Sequence, residues 1–407
     1  MQRQEYSFTE RCSRGTAAGI RWSAAAIAST LVWVTSVGAQ IPEQSASDSS
    51  SDSARSTPHR ASAPADTAPK ITFGAFVDGY YAWDFNRPSN FDRAYTTQPA
   101  RHAEFNINLA FVEAKIAGPR YRGRLALQYG TSVVANYAGE PMIGRISGPS
   151  ASQYIQEATA GYQLSPKLWI DGGIFYAHTG YEGWVSRDNL TYSRSLVGDF
   201  SPYYEAGVKL TWQATPSLVA QLDVVNGWQD ISNYNTPPAG GVRFDYTLNP
   251  KVTLSYDNFI GNVAADTSTI RLRFYNDFIV QYAPTSSWNI AAVFDIGTQS
   301  HTTADGGTAT WYGTSIIGKY HFTPKVAIVG RVERYADPDQ AIVVTGLPAA
   351  FKTNGASLGL DVSPIPRVLW RSEVRGFFSS DRVWPTHEVG QFDRDDAVVV
   401  TSIALTI

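Results

Sequence analysis

Ten residues, RDNLTYSRSL from Arg187 to Leu196, gather two arginines, an aspartate, an asparagine and four hydroxyl groups between segments that otherwise alternate apolar and polar. Guanidinium and carboxylate groups brought face to face create a local field that sorts ions, and Arg187 and Arg194 have Glu182 and Asp188 close by in the chain. A local use competes: Asp188 and Asn189 start an Asx turn while the hydroxyls bond loop backbone. Other residues invite catalytic readings. GASLG, Gly355 to Gly359, fits the G-x-S-x-G pattern around a nucleophilic Ser357. That motif needs a strand turning sharply into a helix, whereas NGASLGLDV goes on alternating. A serine and a histidine on an outer wall would make a lipid hydrolase. The histidines at 59, 102, 178, 301, 321 and 387 are scattered, however, and none has triad or metal-ligand spacing. The acidic runs DPDQ (Asp337 to Gln340) and DRDD (Asp393 to Asp396) lack the ligand order of an EF-hand and read as solvated loop charge.

The elements that hold these residues are strands. In YRGRLALQY, Tyr121, Gly123, Leu125, Leu127 and Tyr129 share one face, and Arg122, Arg124, Ala126 and Gln128 share the other. IRLRFYNDFIV and VLWRSEVRGF divide in the same way, with Arg271, Arg273 and Asp277, then Arg371, Glu373 and Arg375, on the polar side. Period two with one apolar face marks a strand wetted on one side only. The pattern slips in FNINLAFVEAKI, where Glu113 and Lys115 follow the face of Leu109 and Phe111, as a bulge would make it.

Prolines at 119, 166, 216, 250, 284, 324 and 364 recur 34 to 50 residues apart, each closely flanked by strand pattern. Proline fixes φ and gives up a donor no ladder needs, so these are seven short turns joining eight hairpins. The longer loops between hairpins are rich in Gly, Asp, Asn and Ser. The expected fold is all-β: a closed antiparallel transmembrane β-barrel of about 16 strands over residues 71–407, with short periplasmic turns and long extracellular loops. Closure satisfies every backbone group in lipid without a long apolar helix. A secreted sandwich also alternates, but here the apolar faces are rich in Leu, Val, Ile, Tyr and Trp. Trp169, Trp212, Trp288, Trp311 and Trp370 near strand ends suit the headgroup level.

The start of the chain supports export. Arg3, Arg11, Arg14 and Arg21 lead into an apolar run from Ala24 to Val37, and Val37-Gly38-Ala39 offers a cleavage site, so residues 1–39 read as a signal peptide. Residues 40–70 are Ser, Ala, Asp, Pro and Thr with almost nothing to bury, the composition of a disordered periplasmic linker. Cys12 goes with the leader, so the mature chain has no thiol chemistry. Removing the leader takes away four arginines and two glutamates, which moves the net charge from −3 to −5 and argues against nucleic acid as a partner.

YYAWDFNRPSN, DNLTYSRSL followed by SPYYEAGVKLTW, and VVNGWQD carry a resemblance to the OmpL-like β-barrel porins of Gram-negative outer membranes, with YSRS the most specific of these runs. The resemblance covers most of residues 71–407 and implies a diffusion channel in outer-membrane lipid for small hydrophilic solutes. In general porins the corresponding loop folds inward and narrows the lumen. The resemblance therefore implies a constriction in which Arg187 and Arg194 face Glu182, Asp188 or wall carboxylates.

Given a barrel, the polar faces line its lumen. Arg122, Arg124, Lys209, Arg271, Arg273, Arg331, Arg371 and Arg375 alternate there with Glu157, Glu205, Asp223, Asp257, Asp277, Glu333 and Glu373. Interleaved signs predict a water-filled interior with modest ion selectivity, and cross-strand pairing is the plainer use of each charge. No cofactor is implied, and a homo-oligomer is left open. The competing functions are a barrel closed by its loops, serving as adhesin or anchor, and a barrel enzyme acting on lipid.

Overall fold

The computed structural model describes residues 68–234, 236–265 and 270–407. The signal peptide expected over 1–39 and the linker expected over 40–70 lie outside these residues except for 68–70, where Lys70 opens the first strand.

Sixteen antiparallel strands close into a barrel. They are β1 Lys70–Asp84, β2 Phe105–Ala117, β3 Tyr121–Tyr129, β4 Ile155–Ser165, β5 Leu168–Tyr176, β6 Tyr204–Thr215, β7 Leu218–Val225 and β8 Ala239–Asn249. The second half is β9 Val252–Asn262, β10 Leu272–Tyr282, β11 Trp288–Gln299, β12 Ala309–Thr323, β13 Val326–Asp337, β14 Phe351–Val362, β15 Val368–Ser379 and β16 Asp395–Thr406. Each strand pairs with its chain neighbours, and β1 meets β16 from Phe76 opposite Thr406 to Asp84 opposite Val398, which leaves the sheet without an edge.

All seven marker prolines sit in the short connections. Ahead of four of them the ladder skips one residue: Leu164, Ala214, Leu248 and Phe322. An extra residue there sharpens the local twist, which helps the chain reverse in so few residues. The slip expected in β2 is also a bulge, with Asn108 passed over between the pairs Asp78–Leu109 and Gly79–Ile107. It leaves Phe105 86% exposed on the outer face and turns Glu113 inward, where it accepts from Arg124 Nε at 2.6 Å.

On β15, Trp370, Val374 and Phe378 face outward and are exposed, while Arg371, Glu373 and Arg375 are buried inside. Such an apolar belt is stable only against lipid. Two of the five tryptophans expected at the headgroup level face inward instead. Trp311 is 1% exposed within the lumen, and Trp169 lies under the Arg122 guanidinium, 4.3 Å from its ring centre. Parity along the strand, not closeness to its end, decides the side.

Candidate functional site

The loop of residues 177–203 between β5 and β6 is the longest connection in the barrel, and it folds into the lumen. Ser186 Oγ donates to Asp78 on β1 at 2.7 Å. Beyond it Arg187 donates to the Arg367 carbonyl at 3.1 Å, to Thr406 Oγ1 at 3.2 Å and to the Pro366 carbonyl. Pro366 and Arg367 belong to the short turn between β14 and β15, so a loop rooted at one rim reaches the other.

The wall opposite is a ladder of charge. Because alternate residues point inward, Arg331 and Glu333 on β13 stand side by side, as do Arg371, Glu373 and Arg375 on β15. Arg331 Nη2 donates to Glu373 Oε1 at 3.1 Å, and Arg375 Nε donates to Glu333 Oε1 at 3.0 Å. The second oxygen of each glutamate takes a loop amide: Ser193 N–H at 2.7 Å on Glu373 and Leu196 N–H at 2.6 Å on Glu333. Arg331 also reaches Thr191 Oγ1 at 2.9 Å and the Ser193 carbonyl at 2.6 Å. Arg371, braced by Asp361 at 2.9 Å, grips the Ser186, Asn189 and Leu190 carbonyls. Bidentate guanidinium groups suit this task because they can hold a carboxylate and a backbone carbonyl at once.

Two glycines make room for the loop. A Cβ on Gly313 of β12 would lie 2.5 Å from Val197 Cγ1. A Cβ on Gly241 of β8 would lie 2.1 Å from His178 Nε2. His178 Nδ1 lies 2.9 Å from Glu205 Oε2, and Nε2 lies 2.7 Å from the Asn258 carbonyl. Burial alone would lower the His178 pKa, but the Glu205 and Asp223 carboxylates override it and raise it to about 10.

Within the loop, Ser195 caps the short helix Leu196–Asp199 by accepting from Gly198 N–H at 3.2 Å. Glu182 accepts from Ser195 N–H at 2.8 Å; burial raises its pKa, with Arg331 and Ser195 pulling the other way. Asn189 bridges Gly183 through both amide atoms at 2.8 Å each. The hydroxyls of the RDNLTYSRSL run therefore serve backbone and wall. Asp188 ends a 3-10 turn, Ser186–Asp188, in place of starting an Asx turn, and burial raises its pKa against the pull of Arg187.

The expected face-off in the constriction differs in its partners. Arg187 hydrogen-bonds carbonyls at the far rim, while its charge still acts on Asp188 and that of Arg194 on Glu182. Arg194 is buried over the Tyr203 ring, 3.4 Å from its centre, and donates to the Gly198 carbonyl at 2.6 Å. The wall carboxylates are already held by wall arginines of the same parity, which leaves their free oxygens to loop amides.

The other proposed wall residues fall into three settings. Arg122 and Arg124 line the short-turn mouth, paired with Asp171 and with Glu113 and Glu157. Lys209, Glu205, Asp223, Asp257 and Asp277 are inward at mid-barrel, with Arg243 3.1 Å from Asp257. Arg273 is buried nearer the loop end, bonded to Gln299 at 2.9 Å, whereas Arg271 lies beyond the end of β10 and is exposed at the rim. Sequence reading missed Asp295, Asp361, Arg243, Lys319 and Asp78, all of inward parity, and it missed His178, whose partners lie 27 and 80 residues away. Asp337 is no solvated loop charge: it is buried and accepts the Ala341, Ile342 and Val343 amides at 2.7 to 2.9 Å. Asp396 is likewise buried.

Nor is the lumen polar throughout. Toward the long loops, Phe259, Tyr275, Trp311, Tyr335, Phe351 and Phe377 form an apolar cluster with Val343, Val383 and Trp384 from two of those loops. Trp228 packs edge-on against Phe259 and Tyr275, 5.0 Å from each.

Solved structures share this architecture. The anion-selective porin from Comamonas acidovorans is 10% identical with a TM-score of 0.54, the match covering 84% of this chain and all of that one. The outer membrane channel DcaP of Acinetobacter baumannii is 11% identical at 0.55, covering 84% and 99%. Salmonella typhi OmpF, in complex with daunomycin, is 13% identical at 0.56, covering 83% and 97%. At these identities the likeness concerns the fold. No curated protein matches the sequence. The family described as "Putative beta-barrel porin-2, OmpL-like" matches residues 70–407, from the first residue of β1 to the end of the chain. The barrel is thus a passive channel of the Gram-negative outer membrane, and the chain belongs to the OmpL-like beta-barrel porin-2 family.

Proposed function

We propose that this channel passes small hydrophilic solutes or ions, and that the infolded loop, held by Arg331, Arg371 and Arg375, sets the width and charge of the path. The observation that carries the reading is the loop itself: it runs the length of the lumen on charge-assisted bonds to β13 and β15. Lumen width then limits solute size, and the fixed charges bias which ions pass. The half-exposed Arg122 and Lys115 put charge within a solute's reach at the short-turn mouth.

Export by a cleaved leader over residues 1–39, outer-membrane lipid around the outward belt, no nucleic-acid partner and a possible homo-oligomer belong to the same reading. Ser357 is read as a wall residue. It lies mid-strand on β14, opposite Arg331 on one side and Arg375 on the other, with no turn into a helix. A second reading, a barrel closed by its loops and serving as an anchor, is favoured by one observation. Glu205, Asp223, Asp257 and Asp277 at mid-lumen are all sealed from solvent.

Planar-bilayer recording separates the two. Refolded protein is expected to give reproducible conductance steps, and absence of steps above the lipid background sinks the channel reading.

A further inference from the structure

Three side chains outside the loop's grip on β13 and β15 form a separate constellation. His178 at the root of the loop, Glu205 on β6 and Asp223 on β7 are all buried, and one donor atom from each lies within 4.8 Å of the others. A carbonyl oxygen only accepts, so the contact with Asn258 fixes a proton on His178 Nε2 and aims Nδ1 at Glu205. That is how metal-binding histidines are usually oriented, with the distal N–H held by a backbone carbonyl. The separation of Nδ1 from Glu205 Oε2 is 2.9 Å. Two ligands each about 2.1 Å from one ion, at about a right angle, stand that far apart.

A second observation points to a ligand. Glu205 Oε1 is buried and has no hydrogen-bond partner among the described residues. A buried carboxylate oxygen left bare is costly unless a proton or a cation meets it. Among the described residues Asp223 accepts only from Gln221 Nε2, at 3.0 and 2.9 Å, and Lys209 stands opposite it in the ladder. Gly241 keeps the site open, since a Cβ there would strike both His178 Nε2 and the Asn258 carbonyl.

We propose that His178, Glu205 and Asp223 bind one divalent transition ion of the zinc type, tying the root of the infolded loop to β6 and β7. One imidazole nitrogen with two carboxylates suits such an ion better than calcium, which prefers an all-oxygen shell.

The test uses the whole chain folded in detergent, stripped with EDTA and titrated with zinc chloride by calorimetry. Zinc content is then counted after gel filtration. The expected result is one zinc per chain. His178→Ala and Asp223→Asn each weaken binding about tenfold or more. His387→Ala, at an exposed residue beside Glu388, leaves it unchanged. Heat-modifiable migration checks that each variant has closed its barrel, and if His178→Ala has not, the isosteric Asp223→Asn decides. Substoichiometric zinc in the wild type, equal affinity in Asp223→Asn, or preference for calcium chloride over zinc chloride overturns the site.

Discussion

Asp257 on β9 and Asp277 on β10 stand directly opposite each other inside the barrel, both sealed from solvent. Asp295 stands opposite Asp277 on its other side. Arg243 compensates Asp257 at 3.1 Å and Tyr275 donates to Asp295 at 2.8 Å, but Asp277 has no ion-pair partner among the described residues. Like charges directly across a ladder destabilise it, and burying a carboxylate with no cation beside it adds to the cost. Asp277→Asn is therefore expected to stabilise the barrel by about 1 to 3 kcal/mol, read as a higher guanidinium midpoint. A lower midpoint would show that the Asp277 charge is held by something that stabilises it.

Arg331 joins wall to loop through Glu373, Thr191 and the Ser193 carbonyl. Arg331→Ala strands buried glutamates, a loss of about 3 to 5 kcal/mol in a buried ion pair. The expected outcome is a released loop: faster proteolytic cutting within residues 177–203 and larger single-channel conductance. Cutting at the wild-type rate would mean that Arg371 and Arg375 hold the loop without it.

The Gly313 window makes a steric prediction. In Gly313→Ala the new methyl meets Val197 Cγ1 at 2.5 Å and Tyr335 Cδ2 at 2.6 Å. Overpacking of this kind costs about 1 to 3 kcal/mol. Adding Val197→Ala should recover part of the loss, because contacting residues couple in a double-mutant cycle. Strict additivity of the two unfolding free energies would contradict the contact.

Asp230, in the loop between β7 and β8, has its carboxyl pushed up to about 7, first by burial and then by Glu140, with Arg273 opposing. The folded value lies above the unfolded one of about 4, so the folded state holds the proton more tightly. Its favourable contribution is complete below about pH 4 and is lost as the pH rises through 7. Protection of this loop from protease should fall between pH 5 and pH 8, and Asp230→Asn should flatten that fall. An identical pH profile in the variant would rule Asp230 out as the cause.

The strands and turns were legible because each is written locally. Period two places Arg371, Glu373 and Arg375 on one face, and Pro166, Pro216, Pro250 and Pro324 mark reversals with no partner needed. The infolded loop was legible as an excess of hydrogen-bonding groups, yet its partners were not. Arg187 ends on the carbonyls of Pro366 and Arg367, groups that every residue carries and no sequence pattern singles out. His178 was missed for a related reason. Its neighbours arrive from β6, β7 and β9, so only closure of the barrel brings them together. Trp311 shows the limit of reading by position, since an aromatic near a strand end serves either side of the wall.

The reach of Arg187 also bears on the order of assembly. Its anchors are the turn at Pro366 and Arg367 and the side chain of Thr406, in the last strand. Ser186 can already meet Asp78 on β1, but the partners of Arg187 come from the last hairpin and are complete only when β16 has met β1. Seating of the tip is then a late event, and a protease that cuts the loop in unfinished barrels but spares it in finished ones would time closure from inside.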